Sequence, residues 1–239
     1  MNDLLLLVDK LGLVGMRSHL PELINSLKPQ CAKECYMMLK KLLEVECEYK
    51  KARSLHYRLG LAKLPTIKLL SDSSQAKLVE NIDVKELIEN KQNIMLIGGS
   101  GSAKTHLAIG LAFVAIQKGY RARFCTLNEL AMQLVNARSH NHEIRFTEAV
   151  KRFDLIVIDE LGYVPIKPES GALLFELFAK LYEQTSVIIT THLRFEEWGE
   201  IFGNAKATKA IIDRLTHHCK IIETGNKSFR GGGDVRNNK

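Results

Sequence analysis

The 239-residue chain lacks any long hydrophobic run. Its most apolar opening, Leu4-Leu5-Leu6-Leu7-Val8, is bounded by Asp3 on one side and Asp9-Lys10 on the other. That is too short for a signal-peptide core and far below the roughly 20 residues a spanning helix needs. The expectation is a cytoplasmic protein with no membrane partner. Cysteine is sparse as well, with five residues, an odd count without the density of a disulfide scaffold. Cys31 and Cys35 stand four apart in a stretch expected to be helical, but no second ligand pair lies near them. His140-x-His142 and His217-His218-Cys219 want partners in the same way, so the expectation is no structural metal. The most telling absence is of carboxylates. None occurs between Glu48 and Asp72, while Lys50, Lys51, Arg53, Arg58, Lys63 and Lys68 all fall there, among Tyr49, His56 and Tyr57. In a chain of net charge +7 this interval reads as a footprint for nucleic-acid phosphates. A solvated helix face is the alternative reading. The 46% hydrophobic and 26% charged content is that of an ordinary globular protein, long enough for one α/β core and a small extra domain.

Two domains and a tail are expected along the chain. Residues 1–70 read as helical, with Leu4, Leu7, Leu11 and Val14 at helical spacing and Gly12 and Gly15 marking an early turn. Pro21 and Pro29 precede a longer helix near 31–59, on which Cys35, Met38, Leu39, Leu42, Leu43 and Cys47 make an apolar stripe. Gly60 and Pro65 end it, and a connector over 64–80 leads to a short helix near 83–90. Residues 71–230 then alternate strands and helices, the pattern of a parallel sheet with right-handed crossovers. Strands are predicted at 94–97, 121–126, 154–159, 186–191 and 219–223. The glycine-rich 231–239 reads as a disordered tail.

Chemistry concentrates at three strand ends. The first is Ile94-Met95-Leu96-Ile97-Gly98-Gly99-Ser100-Gly101-Ser102-Ala103-Lys104-Thr105, an apolar strand, a glycine-rich turn and a Lys-Thr pair opening a helix that runs toward Gly119. Backbone N–H groups of such a turn and the positive end of the helix dipole suit phosphate oxygens. Lys104 would reach the β- and γ-phosphates of ATP, and the Thr105 hydroxyl would bind Mg²⁺. The usual pattern has glycine directly before the lysine, and here that residue is Ala103. The second strand end is Asp154-Leu155-Ile156-Val157-Ile158-Asp159-Glu160, whose apolar core closes on two adjacent carboxylates. Neighbouring residues of a strand point to different sides, so Asp159 can serve the metal while Glu160 orients or deprotonates water. The third is Ser186-Val187-Ile188-Ile189-Thr190-Thr191-His192. His192, or failing it Thr191, is the candidate polar group between the attacking water and the γ-phosphate, as found in ATPases of this build.

With these residues in place, the chain resembles the IstB family of AAA+ ATPases, helpers of transposition in bacterial insertion sequences. It is more distantly similar to the DnaC-type helicase loaders. The specific pieces are Asp159-Glu160-Leu161-Gly162-Tyr163-Val164-Pro165, Phe195-Glu196-Glu197-Trp198-Gly199-Glu200-Ile201-Phe202-Gly203, Asp213-Arg214-Leu215-Thr216-His217-His218 and Lys227-Ser228-Phe229-Arg230. Arg58 and Ala62-Lys63-Leu64-Pro65 match the segment before the ATPase core. The resemblance implies a P-loop AAA+ sheet flanked by helices, behind a small helical N-terminal domain and without a C-terminal lid. It implies an ATPase that assembles as a homo-oligomer on double-stranded DNA, bends it and delivers it to a transposase, with Arg214 as the arginine finger of a neighbouring subunit. Ala103 and His192 depart from the family's usual glycine and asparagine. A helicase-loader-like adaptor is the second reading and a small-molecule phosphotransferase the third. The basic interval supplies the DNA candidates Lys50, Lys51, Arg53, Arg58 and Lys63.

Overall fold

The computed structural model describes residues 2–163, 167–202 and 205–225. The Val164-Pro165 and Gly203 ends of the matched motifs, the Lys227–Arg230 motif and the 231–239 segment lie outside them. The chain divides into two compact units, Met1–Tyr57 and Arg58–Lys239. No helix among the described residues is long and apolar enough to cross a membrane.

The first unit is built from α1 (Asn2–Leu11), α2 (Val14–Ser26) and most of α3 (Pro29–Ala62). Leu4, Val8 and Leu11 of α1, spaced at a helical turn, bury with Leu20, Leu43 and Cys47. Gly12, at φ 69°, takes the left-handed turn between α1 and α2 that a side chain would resist. The single apolar stripe expected on α3 is in fact two. Leu39, Leu43 and Cys47 join the core, whereas Met38 and Leu42 are exposed.

The second unit holds the sheet. After two short 3₁₀ turns come α4 (Val84–Glu89), β1 (Asn93–Gly98), α5 (Lys104–Gln117), β2 (Ala122–Thr126), α6 (Leu127–Ser139), α7 (Glu143–Lys151) and β3 (Leu155–Leu161). Then follow α8 (Pro168–Leu181), β4 (Ser186–Thr191), a 3₁₀ turn, α9 (Trp198–Phe202), α10 (Ala205–Thr216) and β5 (Cys219–Gly225). The strand order is β2-β3-β4-β1-β5, and every pairing is parallel. Apolar residues fill β1, β3 and β4 almost continuously because helices cover both faces of such a sheet. The Trp198 ring is fully buried against Phe195 and Phe202, so the Phe195–Phe202 motif contributes a core anchor.

Two consequences of this order govern the site. All five strands point the same way, so the glycine-rich turn after β1 and the carboxylates closing β3 share one edge. And β4 lies between β1 and β3, which puts its last residues between the turn and the carboxylates.

Candidate functional site

The turn from β1 into α5 is held by short polar contacts. Ser102, fully buried, donates to the Gly99 carbonyl at 2.8 Å and meets the Thr224 hydroxyl of β5 at 2.6 Å. Thr224 in turn donates to Ile97 O at 3.2 Å, and a Cβ on Gly98 would run into that threonine hydroxyl. Gly98 is therefore required by packing. Gly101, at φ 79°, is required by backbone conformation. Ala103 stands in the same left-handed region, at φ 67° and ψ 11°, as the N-cap of α5. Its departure from glycine thus costs backbone strain.

Lys104 is buried with its Nζ donating to Gly98 O and Gly99 O, each at 2.7 Å. The Thr105 hydroxyl donates to Asp159 Oδ1 at 3.0 Å. Asp159 is 4% exposed, and it also accepts from the Thr190 hydroxyl of β4. The sheet register explains this meeting. Ile158 pairs with Ile189 and Leu161 with Thr191, so Asp159 and Glu160 together oppose the single residue Thr190. This is a β-bulge, which re-aims the strand end. Glu160 sits in it at φ 60°, with its N–H donating to Thr190 Oγ1 at 3.0 Å. Its side chain is exposed and reaches a cavity of about 440 Å³, lined also by Gly101, Lys104, Thr105, Tyr163 and Thr190. The carboxylates do face different ways, one buried and one open, through a bulge rather than simple alternation.

The other candidates are placed as follows. Gly99 and Ser100 belong to the turn. Thr191 Oγ1 donates to Leu161 O at 2.9 Å and accepts from Leu193 N, so its hydroxyl is committed to the backbone. His192 stacks edge-on with Tyr163, ring centroids 4.8 Å apart, and borders Gly98 and Gly99 across a neighbouring cavity. Arg214 lies at the opposite edge of the sheet. The residue after it, Leu215, accepts from the Asn93 side chain at the start of β1, at 3.0 Å. Its guanidinium covers the Phe175 ring at 5.2 Å, and its buried Nη1 finds no hydrogen-bond partner among the described residues. His217 and His218 gain Glu183 as a neighbour, their ligand atoms within 4.8 Å and all three residues exposed.

The basic interval is divided between the two units. Lys50, Lys51 and Arg53 are exposed on α3, with Lys50 Nζ donating to Leu11 O at 3.2 Å. Arg58 Nε donates to Ile116 O at the end of α5, at 3.2 Å. Lys63 borders a cavity with Asp159 and Glu160, and Lys68 lines the one with Lys104.

The family model of the IstB-like ATP binding protein matches residues 7–234. The chain belongs to that family. It is 35% identical over 197 residues to the ATP-binding protein named for insertion sequence IS5376 of Geobacillus stearothermophilus, with 80% of this chain and 78% of that one covered. To the corresponding IS21 protein of Pseudomonas aeruginosa it is 31% identical over 240 residues, covering 96% and 89%. Among solved structures, AMPPCP-bound DnaA from Aquifex aeolicus superposes with a TM-score of 0.56 at 20% identity, over 68% of this chain and 51% of DnaA. DnaI superposes at 0.55 and 15% identity, over 65% of this chain and 90% of that one. These two likenesses show the AAA+ fold, a parallel sheet flanked by helices.

Thr190 and Thr224 escaped the sequence reading. Thr224 gives no signal without knowing that β5 flanks β1. Thr190 stood beside the two residues considered at the end of β4, and the bulge that selects it is visible only in the register.

Proposed function

We propose that this IstB-family chain is an ATPase that assembles on double-stranded DNA in its ATP-bound state and delivers that DNA to a transposase. The observation that carries the reading is the meeting of Lys104, Thr105, Asp159 and Glu160 at one sheet edge. The named relatives, which belong to insertion sequences, supply the context.

Lys104 already points its ammonium at two carbonyls of the turn, and phosphate oxygens are stronger acceptors for the same donors. The N–H groups of the turn and of the first turn of α5 would take the remaining phosphate oxygens. Thr105 and Asp159 present a hydroxyl and a buried carboxylate 3.0 Å apart, an oxygen donor set that fits Mg²⁺. Held by Thr105 and Asp159, such an ion would supply charge neutralisation to the phosphate oxygens. Glu160, open to the cavity and steered by Thr190, accepts a proton from the attacking water. Water adds to the γ-phosphorus as the bond to the bridging oxygen breaks, giving ADP and phosphate. Of the two β4 candidates for the γ-phosphate side we retain His192, because the Thr191 hydroxyl is occupied. Arg214, at the far edge of its own sheet, acts on the nucleotide of a neighbouring subunit. Lys50, Lys51 and Arg53 meet DNA phosphates, while Arg58 and Lys63 belong with the ATPase core.

Lys104→Ala tests the reading. The variant should lose affinity for a fluorescent ATP analogue by about tenfold or more while its helical content shows that it remains folded. Unchanged affinity would remove the turn from nucleotide binding. A protein that binds ATP but prefers single-stranded DNA would be an adaptor of the helicase-loader type.

A further inference from the structure

Helix α3 carries a second apolar face that nothing in its own unit covers. Cys35, Met38, Leu42, Val45, Tyr49, Ala52 and His56 follow one another at alternating steps of three and four residues, and each is exposed. Met38 is 67%, Leu42 56%, Val45 59% and Tyr49 62% exposed. Leu39, Leu43 and Cys47, which pack into the core, occupy a different side of the same helix. One turn earlier, exposed Cys31 extends the series. The mean step of 3.5 residues is the period at which two helices keep a common seam by supercoiling. Residues 31–56 give that seam a length of about 38 Å at 1.5 Å per residue.

The flanks of the seam specify the occupant. Taking Cys35, Leu42 and Tyr49 as a positions and Met38, Val45 and Ala52 as d positions, the g positions include Lys41 and Glu48. The e positions include Glu46 and Arg53. In a parallel pair of identical helices each g residue faces the e residue five positions later on the other copy. Lys41 then faces Glu46 and Glu48 faces Arg53, and the two-fold axis repeats both contacts. An antiparallel pair through the same seam keeps one kind of charge match, Lys41 with Glu48, against two in the parallel pair; either orientation leaves a glutamate against Leu39, Glu34 when parallel and Glu46 when antiparallel. Charge of this kind chooses partner and orientation more than it adds affinity.

We propose that α3 pairs with α3 of a second copy of this chain as a parallel coiled coil through the 31–56 seam. The contact is isologous and closes on itself, unlike the head-to-tail contact an arginine in trans requires. It brings Lys50 and Lys51 of the two copies together on one paired segment, with Arg53 engaged by the partner's Glu48. The pairing does not depend on the ATPase reading.

The test uses the full chain without nucleotide, followed by sedimentation equilibrium and by air-free treatment with oxidised glutathione. In a parallel, in-register pair Cys35 faces Cys35. Two thiols then lose two protons and two electrons to one oxidised glutathione, leaving a disulfide and two reduced glutathiones. The expected results are a reversible dimer and a cross-linked dimer in the Cys31→Ser background that Cys35→Ser abolishes. The Leu42→Glu, Val45→Glu double variant changes side chains exposed in the single copy, so its helical content and melting should be retained. It should weaken the dimer by at least about tenfold and lose the cross-link. A wild-type monomer at all concentrations, or a dimer indifferent to the double variant, would overturn the proposal. A dimer that the double variant dissociates but that forms no Cys35 cross-link would overturn the parallel arrangement.

Discussion

Thr190 joins both carboxylates of the bulge through one hydroxyl, which makes it the most informative single substitution. Thr190→Val keeps the branched shape and removes only the polar atom. It leaves the Glu160 N–H without its acceptor and the buried Asp159 oxygen with Thr105 as its remaining hydroxyl partner. A hydrogen bond to an ionised group contributes about 1.5–3 kcal/mol and a neutral one about 0.5–1.5, so the loss should total about 2–4 kcal/mol. In a unit of this size that lowers the melting temperature by roughly 5–15 °C. Turnover should fall as well, by about tenfold or more, because Glu160 holds its left-handed backbone conformation with the help of that bond. Thr190→Ser keeps the hydroxyl and should cost only about 1 kcal/mol for the lost methyl, with turnover largely preserved. Urea unfolding and ATP turnover on the same three proteins decide the matter. A valine variant within about 0.5 kcal/mol of the wild type, with unchanged turnover, would refute the role of the bulge.

Three further outcomes are expected. Glu160→Gln should bind ATP and DNA normally while hydrolysing at most about 1% as fast, since it removes the proton acceptor and little else; normal turnover by phosphate release would take Glu160 out of the chemistry. Ala103→Gly should relieve about 1–2 kcal/mol of left-handed strain against about 0.5–1 of added chain entropy, for a net gain of up to about 1.5 kcal/mol. A loss of stability in thermal unfolding would contradict the strain assigned there. Burial pushes the Cys125 thiol up to about 12 from an ordinary 9.0. The unfolded thiol therefore ionises first, and this group should erode stability as pH rises above about 9, by up to 1.4 kcal/mol per pH unit. Unfolding free energies compared between wild type and Cys125→Ala should diverge over that range and run parallel below it.

Much of the fold was legible because a covered parallel strand is nearly all apolar. The five predicted strands fall within two residues of those observed, and the helix after Lys104 ends two residues before Gly119. That Lys104, Thr105, Asp159 and Glu160 meet at one sheet edge was legible because parallel strands bring their C-terminal ends together. What stayed hidden depends on which elements become neighbours. The order β2-β3-β4-β1-β5 makes Thr190 and Thr224 part of the site, yet local sequence carries no trace of strand order. The same limit merged two faces of α3 into one stripe, since Leu39 and Leu42 differ only in whether α1 and α2 cover them. The six cations of one sequence interval fall in two units, with Arg58 donating to Ile116 and Lys68 lining the cavity beside Lys104.

ATP-dependent assembly on duplex DNA can be read by sizing the protein with random-sequence double-stranded DNA under ATP, under ADP and without nucleotide. Large DNA-bound particles should form with ATP, shrink or dissociate with ADP, and be lost in Lys104→Ala. Equal particle size in all three states, or no duplex binding in any of them, would contradict such assembly.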